Sequence, residues 1–163
     1  MDDISTSYPV RLPVWWARRG SVGPHPDLPG VTGRYIVVRH AKKFGRFEKL
    51  LAKIFRAPAE LRRPLDDMNS LVWELCNGQR TFLEICEILD TTFHERIAPV
   101  EERTTASVSR MVHLGYIGLL PEPFDNRWSI APGIDPSGRL DPPNEKLGLD
   151  WSTLEGDELG ESE

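Results

Sequence analysis

Apolar residues recur at helical spacing in three successive stretches between residues 66 and 115. The first begins at Asp66 or Asp67, which are favoured N-cap residues, and stops at Asn77-Gly78, which favours the left-handed end of a helix. The second begins at Thr81, which forms a capping box with Glu84. Each stretch predicts a helix with one apolar face, formed in turn by Met68, Leu71, Val72, Leu75 and Cys76; by Phe82, Ile85, Ile88, Leu89 and Phe93; and by Val100, Thr104, Val108, Met111 and Val112.

A short apolar strand follows the third helical stretch. That stretch has Pro99 in its first turn and ends at Gly115, and it leads into Tyr116–Leu120, which Pro121 closes. Helices of this length are unstable alone in water, so the three must share one core. Three helices with tight glycine-bearing turns and a small following strand indicate a helix-turn-helix core with a vestigial wing.

Two strands are predicted upstream of the helices, and they are expected to pair as a small sheet. Tyr35–Val38 is β-branched and aromatic and follows a glycine turn, whereas Trp15–Arg18 contains two adjacent tryptophans. Adjacent residues of a strand project to opposite faces, so one tryptophan stays partly exposed unless a loop covers it. The Pro- and Gly-rich loops of residues 1–33 are the expected cover.

A basic amphipathic helix is predicted over about residues 44–55, and Pro58 stops it. Its apolar stripe holds Phe47, Leu50, Leu51, Ile54 and Phe55, and its basic partner-binding face holds Arg46, Lys49, Lys53 and Arg56. Three interpretations of this face stay open: a solvated cover of the core, a binding face for the acidic tail or an acidic partner, and an anionic membrane surface. The next segment, Glu60–Leu65, is extended, and Pro64 bars it from a central strand position.

Charge divides the chain more sharply than its net value of −5 suggests. Residues 39–63 carry +7, residues 64–121 carry −5 and residues 122–163 carry −8. The last segment is rich in Pro, Gly, Asp and Glu with isolated apolar residues, so a largely disordered acidic tail is expected. We therefore divide the chain into an N-terminal extension (1–33), a folded domain (34–121) with an insertion at 44–57, and the tail (122–163).

Candidate catalytic chemistry is sparse, and we expect neither an enzyme nor a cofactor. Cys76 and Cys86 are interpreted as small buried hydrophobes, because no further metal ligands lie at short spacing. The four histidines are far apart, and no glycine-rich phosphate loop or nucleophile elbow is present. No apolar run approaches the ~20 residues of a membrane span, and no secretory signal begins the sequence, so a cytoplasmic location is expected.

Leu65–Thr81 carries the most specific motif of the chain. Its run Trp73-Glu74-Leu75-Cys76-Asn77-Gly78-Gln79-Arg80-Thr81 matches the pattern W-x-L-C-(D/N)-G-x-R-T, and by this motif the chain resembles the PqqD-like family. The similarity continues through Ile85, Phe93 and the Leu114-Gly115-Tyr116-Ile117 ending, so it closely covers about a third of the chain. The resemblance implies an α+β fold of the winged helix-turn-helix type, with a small N-terminal antiparallel sheet before a three-helix bundle.

The resemblance also implies a function, that of a recognition element for ribosomally made, post-translationally modified peptides. In that family a precursor's leader segment adds as a strand to the sheet edge, beside the third helix, and is presented to a modifying enzyme, often a radical SAM enzyme. Carried over by position, the peptide groove comprises Glu60, Leu61, Arg62, Leu65, Arg103, Ser107 and Arg110. The chain departs from the family by the insertion Phe44–Ala57, which precedes the edge strand and is placed to cover or reshape the groove.

The alternative function is a nucleic-acid-binding regulator that uses the winged helix or the basic segment. A recognition helix needs basic and amide side chains toward bases and phosphates. The third helix instead begins with Glu101-Glu102 and carries only Arg103 and Arg110 as cations. We therefore expect no DNA partner, and a monomer or homodimer that binds peptide.

Overall fold

The computed structural model describes residues 3–41 and 60–157, which form an α+β arrangement. Its strands in this part of the chain are β1 (Tyr8–Arg11), β2 (Trp15–Arg19), β3 (Tyr35–Ala41), β4 (Glu60–Pro64) and β5 (Ile117–Leu120). Its α-helices are α1 (Asp67–Leu75), α2 (Phe82–Phe93) and α3 (Val100–His113), with short 3-10 helices at Ile4–Thr6, His94–Ile97 and Glu145–Leu147. The predicted basic helix, with Arg46, Lys49, Lys53 and Arg56, lies outside the described residues. Within the described ranges, no helix has the length and apolar character that a membrane crossing requires.

The three predicted helices are confirmed, together with the local signals that start and stop them. The Asp66 carboxylate accepts from the Asn69 N–H at 2.7 Å and caps α1. The Thr81 hydroxyl oxygen accepts from the Glu84 N–H at 3.2 Å and caps α2. Gly78 has a φ of +81° in the intervening turn, where a Cβ would lie 2.3 Å from Phe124 Cβ. Glycine is therefore required there by both conformation and space.

One residue of the predicted apolar face of α3 is misplaced. Val112 is 37% exposed, whereas Thr104, Val108 and Met111 are buried against the core. The buried positions follow a spacing of three and four residues, and Val112 lies one position beyond that line, rotated about 100° around the helix. The predicted stripe was therefore one residue too wide.

The three-stranded sheet has the order β2-β3-β4 and is antiparallel throughout. Trp16 pairs with Val38, and Val38 pairs with Arg63 on the other side, so these side chains share one face. This face packs on the helices, since Trp16, Ile36 and Val38 belong to the same buried cluster as Leu71 and Trp73. The predicted pairing of the first two strands and the edge position of the Pro64 segment are both confirmed.

The second sheet pairs a strand of the N-terminal extension with the strand that follows α3. β1 runs antiparallel to β5, with Val10 opposite Gly118, and this β1 strand was not predicted. Its four residues include Pro9, which weakens any strand pattern in the sequence. The N-terminal extension therefore supplies strands to both sheets.

The prediction of a largely disordered tail is wrong for the described residues 122–157. Phe124, Ile130 and Ala131 are buried, and Asp157 is 1% exposed. The ring centroid of Trp151 lies 5.9 Å from that of Trp15, so both adjacent tryptophans of β2 are buried. Trp16 is buried on the face that packs on the helices, whereas Trp15 on the opposite face packs against Trp151 of this C-terminal segment. The few apolar side chains of this segment suffice to hold it in place, because each packs against a surface that the rest of the fold provides.

Candidate functional site

β4 is an edge strand whose outer backbone groups are unpaired within the described part of the chain. The N–H of Leu65 donates to the carbonyl of Ile36 at 2.9 Å, which identifies residue 65 as a position that bonds to β3. Bonded and non-bonded positions alternate in an antiparallel pair, so positions 61, 63 and 65 face β3 and positions 60, 62 and 64 face outward. Pro64 is tolerated because its missing N–H falls on the outward side. The outer edge thus offers the N–H groups of residues 60 and 62 and three carbonyls.

The end of this ladder is tied to α1 by a buried serine. The Ile36 N–H donates to Ser70 Oγ at 2.9 Å, and the Ser70 hydroxyl donates to the Leu65 carbonyl at 3.3 Å. Ser70 is fully buried. Its hydroxyl closes the strand pair where the backbone turns into the helix, and this holds β4 in a defined position relative to the helices.

A groove lies between β4 and α3 and consists of two adjoining cavities. The first, of about 310 Å³, is lined by Arg63 and Leu65 from the strand side and by Ser107 and Arg110 from the helix. The second, of about 260 Å³, shares Ser107 and Arg110 and adds Arg103. A strand edge therefore runs beside a depression that alternate side chains of an added strand would enter.

The structure brings together four of the seven predicted groove residues. Leu65, Arg103, Ser107 and Arg110 line the two cavities. The predicted residues Glu60 and Arg62 line a separate cavity of about 280 Å³, beside residues 139–144 of the C-terminal segment. Leu61 is 36% exposed and lines none of these three cavities.

Arg63, Asn69 and Tyr116 are among the groove residues that were missed. The alternation of a strand could have found Arg63, because it lies midway between Leu61 and Leu65 and shares their face. Tyr116 could not have been found this way, since it reaches the groove from the far end of α3. The Tyr116 hydroxyl lies 3.0 Å from His40 Nε2, and this contact joins the turn after α3 to β3.

The groove is positively charged. Arg63, Arg103 and Arg110 line it, and no described carboxylate lies within 4 Å of their guanidinium nitrogens. The carboxylate of Asp66 also lines it but already accepts from the N–H of Asn69. Arg103 donates to the carbonyl of Arg96. The cationic side chains are therefore available to an acidic ligand.

The opposite edge of the sheet is occupied by the C-terminal segment. The Arg18 N–H donates to the Asp150 carbonyl at 2.8 Å, and the Asp150 N–H donates to the Arg18 carbonyl at 2.6 Å. This short bridge pairs β2 on its outer side. Of the two edges of the three-stranded sheet, only that of β4 is free of a described partner.

The cysteines offer no activated nucleophile. Burial raises the pKa of the Cys76 thiol to about 12, and burial also raises the pKa of Cys86. Both side chains are consequently thiols rather than thiolates at neutral pH. Within residues 3–41 and 60–157, no cluster of three or more His, Cys, Asp or Glu side chains could hold a metal ion.

No family model matches the chain. Searches of the curated proteins and of the solved structures likewise found no match. The resemblance to the PqqD-like family consequently rests on the motif between Leu65 and Thr81 and stays a prediction.

Proposed function

We propose that this protein is a non-catalytic peptide-binding adaptor of the PqqD-like kind. An extended segment of a precursor peptide adds as a fourth strand to the outer edge of β4, and the adaptor presents it to a modifying enzyme in the cytoplasm, such as a radical SAM enzyme. The observation that carries this proposal is the edge of β4, which has no partner strand among residues 3–41 and 60–157 and lies beside the groove with α3. Backbone hydrogen bonds supply affinity in this mode, and side-chain pockets supply selectivity.

The finer assignment of the fold as a winged helix-turn-helix belongs to the same proposal. It is supported by the order of three helices and a following strand, and by the capped turn between α1 and α2. The pairing of β5 with β1 extends that arrangement with a strand from the N-terminal extension.

The backbone of β4 determines how a peptide would pair with it. Arg62 faces outward with both its N–H and its carbonyl, so it supplies one donor and one acceptor at the centre of the strand. Pro64 supplies an acceptor only. Five residues of strand span about 17 Å. The edge therefore accommodates a peptide segment of about five residues, whose alternate side chains point toward the groove.

The backbone part of the proposal is tested by Arg62→Pro, with Arg62→Ala as the matched control. The proline removes the outward N–H at position 62 without removing a bond to β3. The alanine removes the same side chain and keeps the N–H. The probes are peptides selected by mRNA display from a random 12-residue library on the full chain. Affinity is measured by fluorescence anisotropy.

We expect Arg62→Pro to weaken these peptides by at least about tenfold, because one backbone bond is lost and its partner is left unpaired. Arg62→Ala is expected to bind within about threefold of the wild type. Equal affinity of the proline and alanine variants would contradict strand addition at β4. Circular dichroism of both variants verifies that each is folded.

The groove part of the proposal is tested by Ser107→Trp, with Ser109→Trp as its control. Ser107 lines both cavities, whereas Ser109 is exposed on a different face of α3. The indole at position 107 is expected to fill the groove and abolish binding of the selected peptides. The same exchange at position 109 is expected to leave affinity unchanged. Binding that survives Ser107→Trp would place the peptide elsewhere.

A further inference from the structure

Arg63 lies on the face of the three-stranded sheet that packs on the helices, and it lacks a partner among the described residues. Its Nε is shielded from solvent and makes no hydrogen bond, and its side chain lines the groove cavity of about 310 Å³. Buried polar groups in folded proteins are nearly always hydrogen-bonded, because an unmade bond costs free energy. The unbonded Nε of the half-buried Arg63 at the wall of this cavity is therefore an observation that a hydrogen-bond acceptor on a ligand would explain.

Other arginines of the same sheet show how this protein satisfies a buried guanidinium. Arg18 pairs with the carboxylates of Glu74 and Asp157 at 2.8 and 2.6 Å. Arg39 pairs with the carboxylate of Glu60. Arg63 stands on the same sheet and has no described carboxylate within 4 Å. Both of these buried arginines have a carboxylate among their partners, so a carboxylate is a chemically suited partner for Arg63 as well.

A second cation reaches the same cavity from the opposite wall. Arg110 projects from α3, lines the cavity and likewise has no described carboxylate within 4 Å. Ser107, Asn69 and Tyr116 add hydroxyl and amide groups to the lining. The Ser107 hydroxyl donates to Asn69 Oδ1, and the carboxylate of Asp66, which also lines the cavity, accepts from the Asn69 N–H. The two guanidinium groups, neither paired with a described carboxylate, form a polar recess suited to one anionic side chain.

The register of an added strand points one of its side chains at this recess. The backbone groups of Arg63 face β3, so in an antiparallel added strand Arg63 stands in a non-hydrogen-bonded pair. Side chains are closest in such pairs, with Cα atoms about 4.5 Å apart. The peptide residue opposite Arg63 therefore lies on the groove side and directly against its guanidinium.

We propose that the groove selects an acidic peptide, in which an Asp or Glu opposite Arg63 enters the cavity and accepts hydrogen bonds from Arg63 and Arg110. This inference rests on the proposed strand addition at β4 and adds the chemical class of the segment bound. The ligand is an extended peptide with a carboxylate side chain at one fixed position and tolerance at the outward positions.

The first test uses the peptides selected on the full chain by mRNA display. Their aligned sequences are expected to share Asp or Glu at one position. Replacing that residue by Asn or Gln is expected to weaken binding by about 10- to 100-fold, because charge-assisted hydrogen bonds are the stronger kind. An alignment without a shared acidic residue would overturn the inference.

The second test assigns the selectivity to this cavity. Arg110→Gln is expected to reduce the affinity ratio of acidic to amide peptide toward one. Arg103→Gln removes a cation of the same helix that lines only the adjoining cavity, and it is expected to keep the ratio. Arg110→Glu is expected to favour a peptide with Lys at that position. An unchanged ratio in Arg110→Gln would contradict the assignment.

The third test observes Arg63 directly in the folded wild-type chain. The NMR resonance of its Nε–H is expected to shift on binding of the acidic peptide and to shift less with the amide peptide. If peptides bind and are sensitive to Arg62→Pro but show no acidic preference, this inference fails and the proposed function stands. If no peptide is sensitive to Arg62→Pro, the proposed function fails and this inference fails with it.

Discussion

Arg18 shows how single residues hold distant parts of this chain together. Arg18 is 1% exposed, and its guanidinium donates to Glu74 on α1 and to Asp157 in the C-terminal segment. Burial by itself lowers the pKa of Arg18, but the bonds to Asp157 and Glu74 offset this and raise the pKa overall. Arg11, which donates only to backbone carbonyls, has a pKa lowered by burial to about 10. A buried guanidinium thus keeps its charge most firmly where carboxylates are its partners.

Asp157→Asn is expected to lower the free energy of unfolding by about 3 kcal/mol, because it leaves a buried cation incompletely paired. Asp125→Asn is the matched control, since Asp125 pairs with Arg127 and both side chains are 63% exposed. Its effect is expected to stay below about 1 kcal/mol. Urea denaturation followed by tryptophan fluorescence measures both. Equal losses in the two variants would contradict a structural role for the buried pair.

Asp150 predicts a dependence of stability on pH. Hydrogen bonds from Ser152 and from Arg34 lower its pKa to about 2 in the folded protein. Because the unfolded chain takes up the proton first as pH falls, this contribution to stability is complete above about pH 4 and is lost toward about pH 2. The difference in unfolding free energy between wild type and Asp150→Asn is expected to shrink over that window. A difference that stays constant down to pH 2 would contradict this linkage.

At the scale of elements, the C-terminal segment, residues 122–157, packs on the three-stranded sheet as part of the fold. It pairs with β2 through Asp150, covers Trp15 with Trp151, and packs Phe124 against Trp128 at a centroid distance of 4.6 Å. The Trp128 indole N–H also donates to the carbonyl of Arg11 at 2.8 Å. Among the described residues these contacts occupy the β2 edge of the three-stranded sheet and leave the β4 edge without a partner.

Truncation after Pro121 is expected to destabilise the protein strongly, because it exposes Trp15 and removes the Asp157 partner of Arg18. A chain that ends at Asp157 retains every contact described above and serves as the control. Thermal unfolding followed by circular dichroism measures the effect. We expect a clearly lower midpoint, or no cooperative transition, for the shorter chain alone. Matching midpoints in the two chains would contradict the structural role of this segment.

At the scale of the whole molecule, charge separates the candidate partners. Residues 64–121, which hold the three helices, carry −5, and α3 begins with Glu101 and Glu102 exposed. Arg63, Arg103 and Arg110 lie instead in the groove beside β4. Phosphates would be repelled by the helical surface at large, whereas one carboxylate of a peptide strand would reach the local positive recess.

We expect no binding of duplex DNA by α3. Gel shifts over a salt series check this. They compare the wild type with Arg103→Gln on α3 and with the double variant Lys49→Gln, Lys53→Gln in the basic segment. Absence of a shifted band at low salt is the expected result. Binding that weakens steeply with salt and depends on Lys49 and Lys53 would instead favour the nucleic-acid alternative.

The candidate site was predictable in part. Leu65, Arg103, Ser107 and Arg110 followed from the resemblance and do meet in the groove, whereas Glu60 and Arg62 lie at a separate cavity. The alternation of side chains along a strand explains this separation, because the side chains of residues 60 and 62 share a face that looks away from α3. The same alternation identifies Arg63 as a groove residue once the position of β4 beside α3 is known.

The sequence by itself determined the local features of the backbone, which depend on residues within a few positions of each other. Asp66 and Thr81 begin their helices, Gly78 ends one, and Pro64 restricts β4 to an edge, because caps, turns and proline act on local backbone groups. Only the tertiary structure decided that β1 pairs with β5, that the C-terminal segment covers Trp15, and that Arg63 and Arg110 line one cavity. These contacts join residues far apart in the chain. They form because burial of apolar surface and pairing of buried charges stabilise the folded chain as a whole.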